Sequence, residues 1–177
     1  MPLLFVCENL LDAIAESGVF AGFPLGDPRK PLRHCDVCNR HMAAVKDGVA
    51  SSLGDQLDYY LSAQHRDNLA GGCAMAASAS EIGRQADDIS ARYSEGFEQL
   101  VSIVEATLGA TSSKVRRHQR ALVIVAAMIG GVAVARATAK SRRDLSTDVL
   151  AALRRVLGEV GGERPLPLGR SVKRSSE

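Results

Sequence analysis

Apolar residues recur at three- and four-residue spacing in the middle of the chain, which is the pattern of an amphipathic helix. The most regular run begins after Asp87 and Asp88, either of which predicts an N-cap, and it ends at Gly109, where a left-handed cap is expected. The apolar stripe of this run consists of Ile89, Tyr93, Phe97, Leu100, Val101, Val104 and Leu108. This segment is the clearest helix that the sequence predicts.

A second long helix is predicted after it. A basic first turn from Lys114 leads into the apolar run Ala121 to Ala135, and the helix is expected to continue to about Thr138. The run is shorter than the roughly 20 residues that span a bilayer, and arginines flank it on both sides. We therefore predict a buried helix here and no membrane segment.

The last predicted helix is followed by a tail. Asp144 predicts its N-cap, and Gly158 predicts its end. Residues 161–177 are rich in Gly, Pro, Ser and basic residues, so they cannot bury enough apolar surface to offset the entropy of ordering. We expect this basic tail to be disordered.

Helical spacing is weaker in the first half of the chain. Residues 3–14 predict a helix, whereas glycines and prolines predict irregular structure over about 17–32. A weak helical pattern returns over about 37–61 and is ended by the charged stretch at 65–68, which predicts a turn. Small residues over 70–85 then predict a closely packed helix.

The composition favours an all-α fold. Alanine dominates the apolar residues and aromatic residues make up only 4% of the chain, a mixture that suits closely packed helices better than β-sheets. With 22 basic and 20 acidic residues, the charge is too balanced to indicate a nucleic acid or membrane partner by itself. Four cysteines without a secretory leader predict free thiols in the cytoplasm.

Candidate residues for catalysis or metal binding are few. Two histidines and two cysteines share one short segment: His34, Cys35, Cys38 and His41. Their spacing is that of a zinc knuckle, but no second pair of ligands occurs elsewhere, so incidental thiols are predicted and zinc is the alternative. Cys73 and His65 could form a nucleophile and base, yet a cysteine that starts an Ala-rich helix is typical of a small core residue. No enzyme activity and no cofactor are predicted.

The segment YYLSAQHRDNLAGGCAMAASASEIGRQ, residues 59–85, resembles a segment found in one branch of the TetR/AcrR family of transcriptional regulators. In that branch a helix ends in Tyr-Leu-Ser, a His-Arg-Asp turn and a Gly-Cys step follow, and an Ala-rich helix with a Glu and an Arg comes next. The resemblance continues through the three predicted helices that follow and covers roughly Leu53 to Leu157. Most relatives have Pro after the Cys, where this chain has Ala74.

The resemblance implies a TetR-like C-terminal helical bundle whose last two long helices pair with those of a second subunit in a four-helix interface. The residues expected at that interface are Val123, Ala127, Gly130, Gly131, Val134, Leu150, Leu153 and Leu157. The preceding helices would enclose a pocket for a small apolar or aromatic effector, with the expected lining residues Tyr60, Tyr93, Phe97 and Met128. The alternatives are a monomeric bundle and plain core packing of these four residues.

The resemblance also implies an N-terminal three-helix DNA-binding region of some fifty residues. The sequence does not show it, because residues 14–30 keep only Ile-Ala-Glu and a Gly-Val of the relatives' pattern, and Pro24, Pro28 and Pro31 would break the helix expected there. Three explanations stay open: an N-terminally shortened regulator, a stand-alone sensor or dimerising partner, and a degenerate DNA reader.

Three segments are therefore expected: an atypical N-terminal segment at 1–40, a TetR-like effector-binding and dimerisation domain at 41–160, and the tail at 161–177. The function that follows is a TetR-family transcriptional repressor, or its shortened form, which senses a small molecule, forms a homodimer in the cytoplasm, and contacts DNA only with a working N-terminal reader. The alternative function is a stand-alone small-molecule-binding or dimerising helical protein without DNA-binding activity.

Overall fold

The structure, a computed structural model, describes residues 52–69, 72–109 and 113–162. Within these ranges the chain consists of helices and short connections and contains no strand, which confirms the all-α fold. The helices are α1 (Leu53–Tyr60), α2 (Ala63–Asp67), α3 (Ala74–Ile82), α4 (Asp87–Thr107), α5 (Lys114–Thr138) and α6 (Arg143–Gly161). The predictions for residues 1–51, including the candidate zinc ligands, and for the tail beyond residue 162 lie outside the described residues.

The helices α5 and α6 form an antiparallel hairpin, and α5 packs against each of the other helices. The prediction for α5 is confirmed at both of its ends. At the turn of the hairpin, the Ser146 hydroxyl donates to the Ala135 carbonyl at 2.7 Å. At the opposite end, Arg120 Nε donates to the Val160 carbonyl at 2.6 Å. The two helices are therefore held at both ends.

The apolar core lies between this hairpin and the helices α1, α3 and α4. Four α5 residues at helical spacing are completely buried: Ala121, Ile124, Val132 and Ala135. Leu57 of α1, Met75 of α3 and Val101 of α4 pack in the same cluster. Each buried Val, Leu, Ile or Met side chain stabilises the fold by about 1.5–3 kcal/mol relative to an exposed one, so this cluster holds the helices in one bundle.

The helix α1 packs against α6. Its start carries a capping box, in which the Ser52 hydroxyl accepts the Asp55 N–H and the Asp55 carboxylate accepts the Ser52 N–H. Arg154 of α6 pairs with Asp58 of α1. The first described helix is thus attached to the last one.

The ends of α4 differ from the prediction. The N-cap is Ala86, in an extended conformation and without a side-chain cap, while Asp87 and Asp88 lie in the first turn. Carboxylates there still favour the helix through its dipole, although they do not cap it. The left-handed cap predicted at Gly109 is also wrong, because the C-cap is Leu108, whose extended backbone turns its side chain into the core.

The last helix is longer than predicted. It begins at Arg143, with Asp144 in its first turn rather than at the N-cap, and it continues past Gly158 to Gly161. The residue that ends it is Gly162, with φ of 87°, a left-handed conformation that favours glycine. Residue 161, where the sequence predicts the start of the tail, is therefore still helical.

The charged stretch at 65–68 is mostly helical, so the predicted turn is wrong. Its first three residues belong to α2, a helix of five residues whose N-cap Ser62 accepts the His65 N–H at 3.0 Å. The predicted small-residue helix is present but shorter, at Ala74–Ile82. A helix as short as α2 is unstable alone, and its stability depends on the contacts described below.

By length and composition, α5 could cross a membrane; among the described residues, no other helix meets this test. The core helix of a soluble protein meets it too, and 44% of the most apolar window of α5 is buried inside the bundle. The arrangement agrees with the predicted core helix.

Candidate functional site

A groove runs between α4 and the first half of α5. It has a volume of about 500 Å³ and is open to solvent along one side. Its lining residues are Tyr93, Ser94, Phe97, Glu98, Val101 and Ser102 from α4, and His118 and Leu122 from α5. Small-molecule sites have volumes of about 300–1,000 Å³, so this groove is a candidate binding site.

The groove has an apolar base and a polar rim. Val101 is buried, and the rings of Tyr93 and Phe97 pack partly against the core. The rim carries exposed serines and the exposed Glu98, whose carboxylate forms no ion pair within the described ranges. Such a lining suits a ligand that is largely apolar with a few polar groups.

Tyr93 offers a hydrogen-bond donor in the groove. Burial raises the pKa of its hydroxyl to about 12, and the nearby Cys73 adds to this rise. The phenol therefore stays protonated at neutral pH, where it can donate to an acceptor on a ligand.

One end of the groove is fixed by an ionic cluster. The distance from His118 Nδ1 to Glu105 Oε2 is 3.0 Å, and the Arg117 Nε lies 3.7 Å from Glu105 Oε1. Both bases belong to the first turns of α5 and the carboxylate belongs to the last turn of α4. The cluster joins the two walls of the groove where they meet.

The structure places two of the four predicted pocket residues in this groove, Tyr93 and Phe97. Tyr60 lies elsewhere, with its ring centroid 4.7 Å from that of His65, and Met128 is buried in the core. Ligand contact stays a prediction for all four. The prediction missed the α4 residues Ser94, Glu98 and Ser102, although their four-residue spacing puts them on one side of the helix beside Tyr93 and Phe97.

The predicted interface residues fall into two groups. Three are exposed on α5: Val123, which is 56% exposed, Gly130 and Val134. The other five are buried or partly buried within the subunit: Ala127, Gly131, Leu150, Leu153 and Leu157. The exposed side of α5 is apolar over most of its length, and we call its residues the exposed strip: Val115, Leu122, Val123, Ala126, Gly130, Val134 and Ala137. Two further exposed apolar residues, Leu145 and Val156, lie on α6.

A buried arginine joins α2 to α6. Arg66 is only 2% exposed and donates to Asp67 through Nε at 2.8 Å and Nη2 at 3.0 Å. Its Nη1 donates to the Ser146 hydroxyl at 3.0 Å, and Arg143 of α6 also donates to Asp67, at 2.6 Å. The hydrogen bond to Asp67 raises the pKa of Arg66, so the guanidinium stays charged although it is buried.

Arg136 of α5 holds the same short helix from its other side. Its Nε donates to the Arg66 carbonyl at 3.1 Å and its Nη2 to the His65 carbonyl at 3.2 Å. The His65 Nδ1 must donate to the Tyr60 carbonyl, 2.7 Å away, and its Nε2 accepts the Cys73 N–H at 3.2 Å. The imidazole is therefore neutral. We call these residues the polar junction: His65, Arg66, Asp67, Arg136, Arg143 and Ser146.

The polar junction predicts a loss of stability in acid. Hydrogen bonds from Arg66, and to a lesser extent from Arg143, lower the pKa of Asp67 to about 2, from an ordinary value of 3.8. A depressed pKa in the folded state gives stability that is complete above the ordinary value and is lost as the pH falls towards 2. We expect Asp67→Asn to be less stable than the natural protein at pH 7 and equally stable near pH 2. Urea unfolding at a series of pH values measures this difference, and a difference that does not change with pH would contradict the assignment.

The described residues form a helical bundle with a groove between α4 and α5, and the comparisons place the chain in a family. Residues 51–147, more than half of the chain, match the family described as "Transcriptional regulator LmrA/YxaF-like, C-terminal domain". The chain therefore belongs to the TetR family of transcriptional regulators, a family of regulators rather than enzymes. Comparisons with curated proteins and with solved structures give no match. The family predicted from the sequence is confirmed, and the match includes α1 to α5, the groove and the polar junction.

Proposed function

We propose that this chain senses a small molecule and dimerises as part of a TetR-family transcriptional repressor in the cytoplasm. The observation that carries the proposal is the groove between α4 and α5, which lies within the family match and has Tyr93 and Phe97 in its lining. Its volume and its mixture of aromatic, aliphatic and polar residues fit a small apolar or aromatic effector.

The exposed strip of α5 supports the homodimer. Large exposed apolar areas on a folded protein mark interaction surfaces, and Leu145 and Val156 of the neighbouring helix α6 are also exposed. Two copies joined by α5 and α6 would form a four-helix interface and cover these side chains. The domain over 41–160 is then the unit of sensing and pairing.

DNA binding requires a reader on the N-terminal side of α1. We propose that effector binding changes the separation of two such readers in the dimer, which releases them from DNA. The alternative is a stand-alone protein that binds the small molecule and dimerises without contacting DNA. The prolines in the region where a recognition helix is expected, Pro24, Pro28 and Pro31, favour this alternative.

A mobility-shift titration on the DNA next to the gene separates the two functions. The full chain is titrated at two salt concentrations, and its oligomeric state is measured by sedimentation in the same buffers. A regulator gives a specific shift that weakens as salt is added, because phosphate contacts release counterions. A dimer that leaves the DNA unshifted supports the stand-alone function, and a monomer contradicts the pairing in both proposals.

The groove predicts which substitutions remove effector binding. In a thermal-shift screen of small aromatic compounds, we expect a compound that stabilises the natural protein to lose at least about tenfold in affinity on Phe97→Ala, because a ring in the apolar base is lost. Tyr93→Phe removes only the hydroxyl donor and is expected to cost less. Leu69→Ala, which is exposed and lies outside both the groove lining and the exposed strip, is the control. Equal binding by Phe97→Ala and the control would place the effector elsewhere.

A further inference from the structure

The open side of the groove requires a cover if a ligand is to be buried. Small-molecule sites enclose roughly 70–90% of a ligand's surface, but this groove is open along one side within a single subunit. Leu122 belongs both to the groove wall and to the exposed strip. A molecule that packs on the strip therefore also comes to the mouth of the groove.

The exposed strip has a pattern that complements itself about Gly130. Val123 lies seven residues before Gly130 and Ala137 seven residues after it, while Ala126 lies four before and Val134 four after. If two antiparallel copies of α5 cross at Gly130, each valine faces an alanine of the other copy. Large residues then meet small ones, and glycine at the crossing lets the backbones approach closely. A Cβ at Gly130 would have no neighbour within 4 Å in the described subunit, so this space is free.

The exposed apolar residues of α6 also have a centre of symmetry, and it lies at the same level along the hairpin as Gly130. These residues, Leu145 and Val156, are symmetric about a point between residues 150 and 151. In the antiparallel hairpin, the hydrogen bonds from Ser146 to Ala135 and from Arg120 to Val160 put this point level with Gly130. A single twofold axis can therefore pair the exposed apolar residues of both α5 and α6 between two copies. On α6, it places Val156 of one copy opposite Leu145 of the other. Such a self-complementary surface is what an isologous dimer requires.

We propose that a second copy of this chain, related by a twofold axis at the level of Gly130, closes the groove of the first. This inference rests on the dimer in the proposed function. In the antiparallel pairing, α5 of the second copy packs beside Leu122, which forms part of the groove wall. The second copy therefore covers the open side of the groove next to Leu122, and each groove is enclosed only in the dimer.

Disulfide cross-linking tests the register. The four natural cysteines are replaced by alanine, and Val123→Cys and Ala137→Cys are introduced together. The two positions are about 21 Å apart along one helix, so a disulfide, which needs Cα atoms within about 7 Å, forms only between subunits. We expect a covalent dimer from this pair and from Gly130→Cys alone, and none from the exposed control Ala106→Cys on α4. A dimer by sedimentation without these cross-links overturns the inference but not the proposed function, whereas a monomer overturns both.

A fluorescence measurement tests whether the partner covers the groove. The chain contains no tryptophan, so Phe97→Trp gives a single reporter in the groove. Gly130→Glu places a charge on the proposed axis, where the subunit has free space, and a circular dichroism spectrum confirms that the variant is folded. We expect acrylamide to quench the reporter about twofold more strongly in the Gly130→Glu monomer than in the dimer, because the partner no longer covers the groove. The control Ala106→Trp is expected to be quenched equally in both. Equal quenching of Trp at position 97 in monomer and dimer would show that the partner does not cover the groove.

Discussion

Replacing Arg66 by alanine is expected to lower the free energy of unfolding by about 3 kcal/mol, because the substitution removes buried charge-assisted hydrogen bonds and leaves a cavity. Arg66 is 2% exposed and is the largest side chain that the described structure buries completely. For a chain of this length, a loss of this size corresponds to a melting temperature lower by roughly 10 °C. Thermal and urea unfolding followed by circular dichroism, at a fixed protein concentration, measure both quantities.

Two further variants define what Arg66 contributes. Arg66→Lys keeps the charge but lacks the planar fork that binds both Asp67 oxygens, so we expect an intermediate loss of about 1–2 kcal/mol. Arg84, which is 75% exposed and paired with Glu81, provides the matched control. An exposed pair of this kind contributes at most about 1 kcal/mol, so Arg84→Ala should change little. If Arg66→Ala and Arg84→Ala had the same effect, the buried guanidinium would not stabilise the junction.

Replacing Gly72 by alanine is expected to destabilise the protein by about 2–3 kcal/mol through overpacking. A Cβ at this position would lie 2.5 Å from the Asn68 carbonyl oxygen and 2.2 Å from Arg136 Nη2. The backbone carbonyl cannot move away without changing the end of α2, and a displaced guanidinium no longer binds the carbonyls of His65 and Arg66. Chemical unfolding reports the loss.

The control for Gly72 is Gly83, which follows α3 and where an added Cβ would meet no atom within 4 Å. Its backbone has φ of −65°, which alanine adopts without strain. Gly83→Ala is therefore expected to be neutral or to stabilise the protein by up to about 1 kcal/mol, since it restricts the unfolded chain. Equal effects at the two glycines would contradict the crowding described at Gly72.

The sequence predicts α5 well because two local signals agree there. Ser113 supplies the N-cap, and the apolar residues that follow repeat at helical spacing up to the arginine that ends the run. The ends of α4 and α6 were harder to predict because aspartate and glycine favour several positions near a helix end. Leu108 is drawn into the core, and the Val160 carbonyl is bound by Arg120, which lies forty residues earlier in the chain. Contacts with distant segments of the chain therefore determine where α4 and α6 end.

The helix α2 shows the limit of local patterns most clearly. Five residues with four charged or polar side chains predict a turn, because so short a helix is unstable by itself. What stabilises it comes from Arg136 on α5 and Ser146 on α6, seventy or more residues away. Similarly, Tyr93 and Phe97 could be placed on one helix face, but their meeting with Leu122 depends on how α4 packs on α5. The spacing of apolar residues along the sequence does not determine the angle at which α4 packs on α5.

One helix connects the polar junction to the groove, since Leu122 and Arg136 both belong to α5. They are separated by fourteen residues, or about 21 Å of helix. If α5 tilts by about 3° at the groove, its far end moves by about 1 Å, which is the size of helix shift found in allosteric proteins. Arg136 would carry that movement to the carbonyls of α2 and so to the point where the chain turns back into α1. A tilt of α5 would therefore displace α2, the five-residue helix for which the sequence predicts a turn.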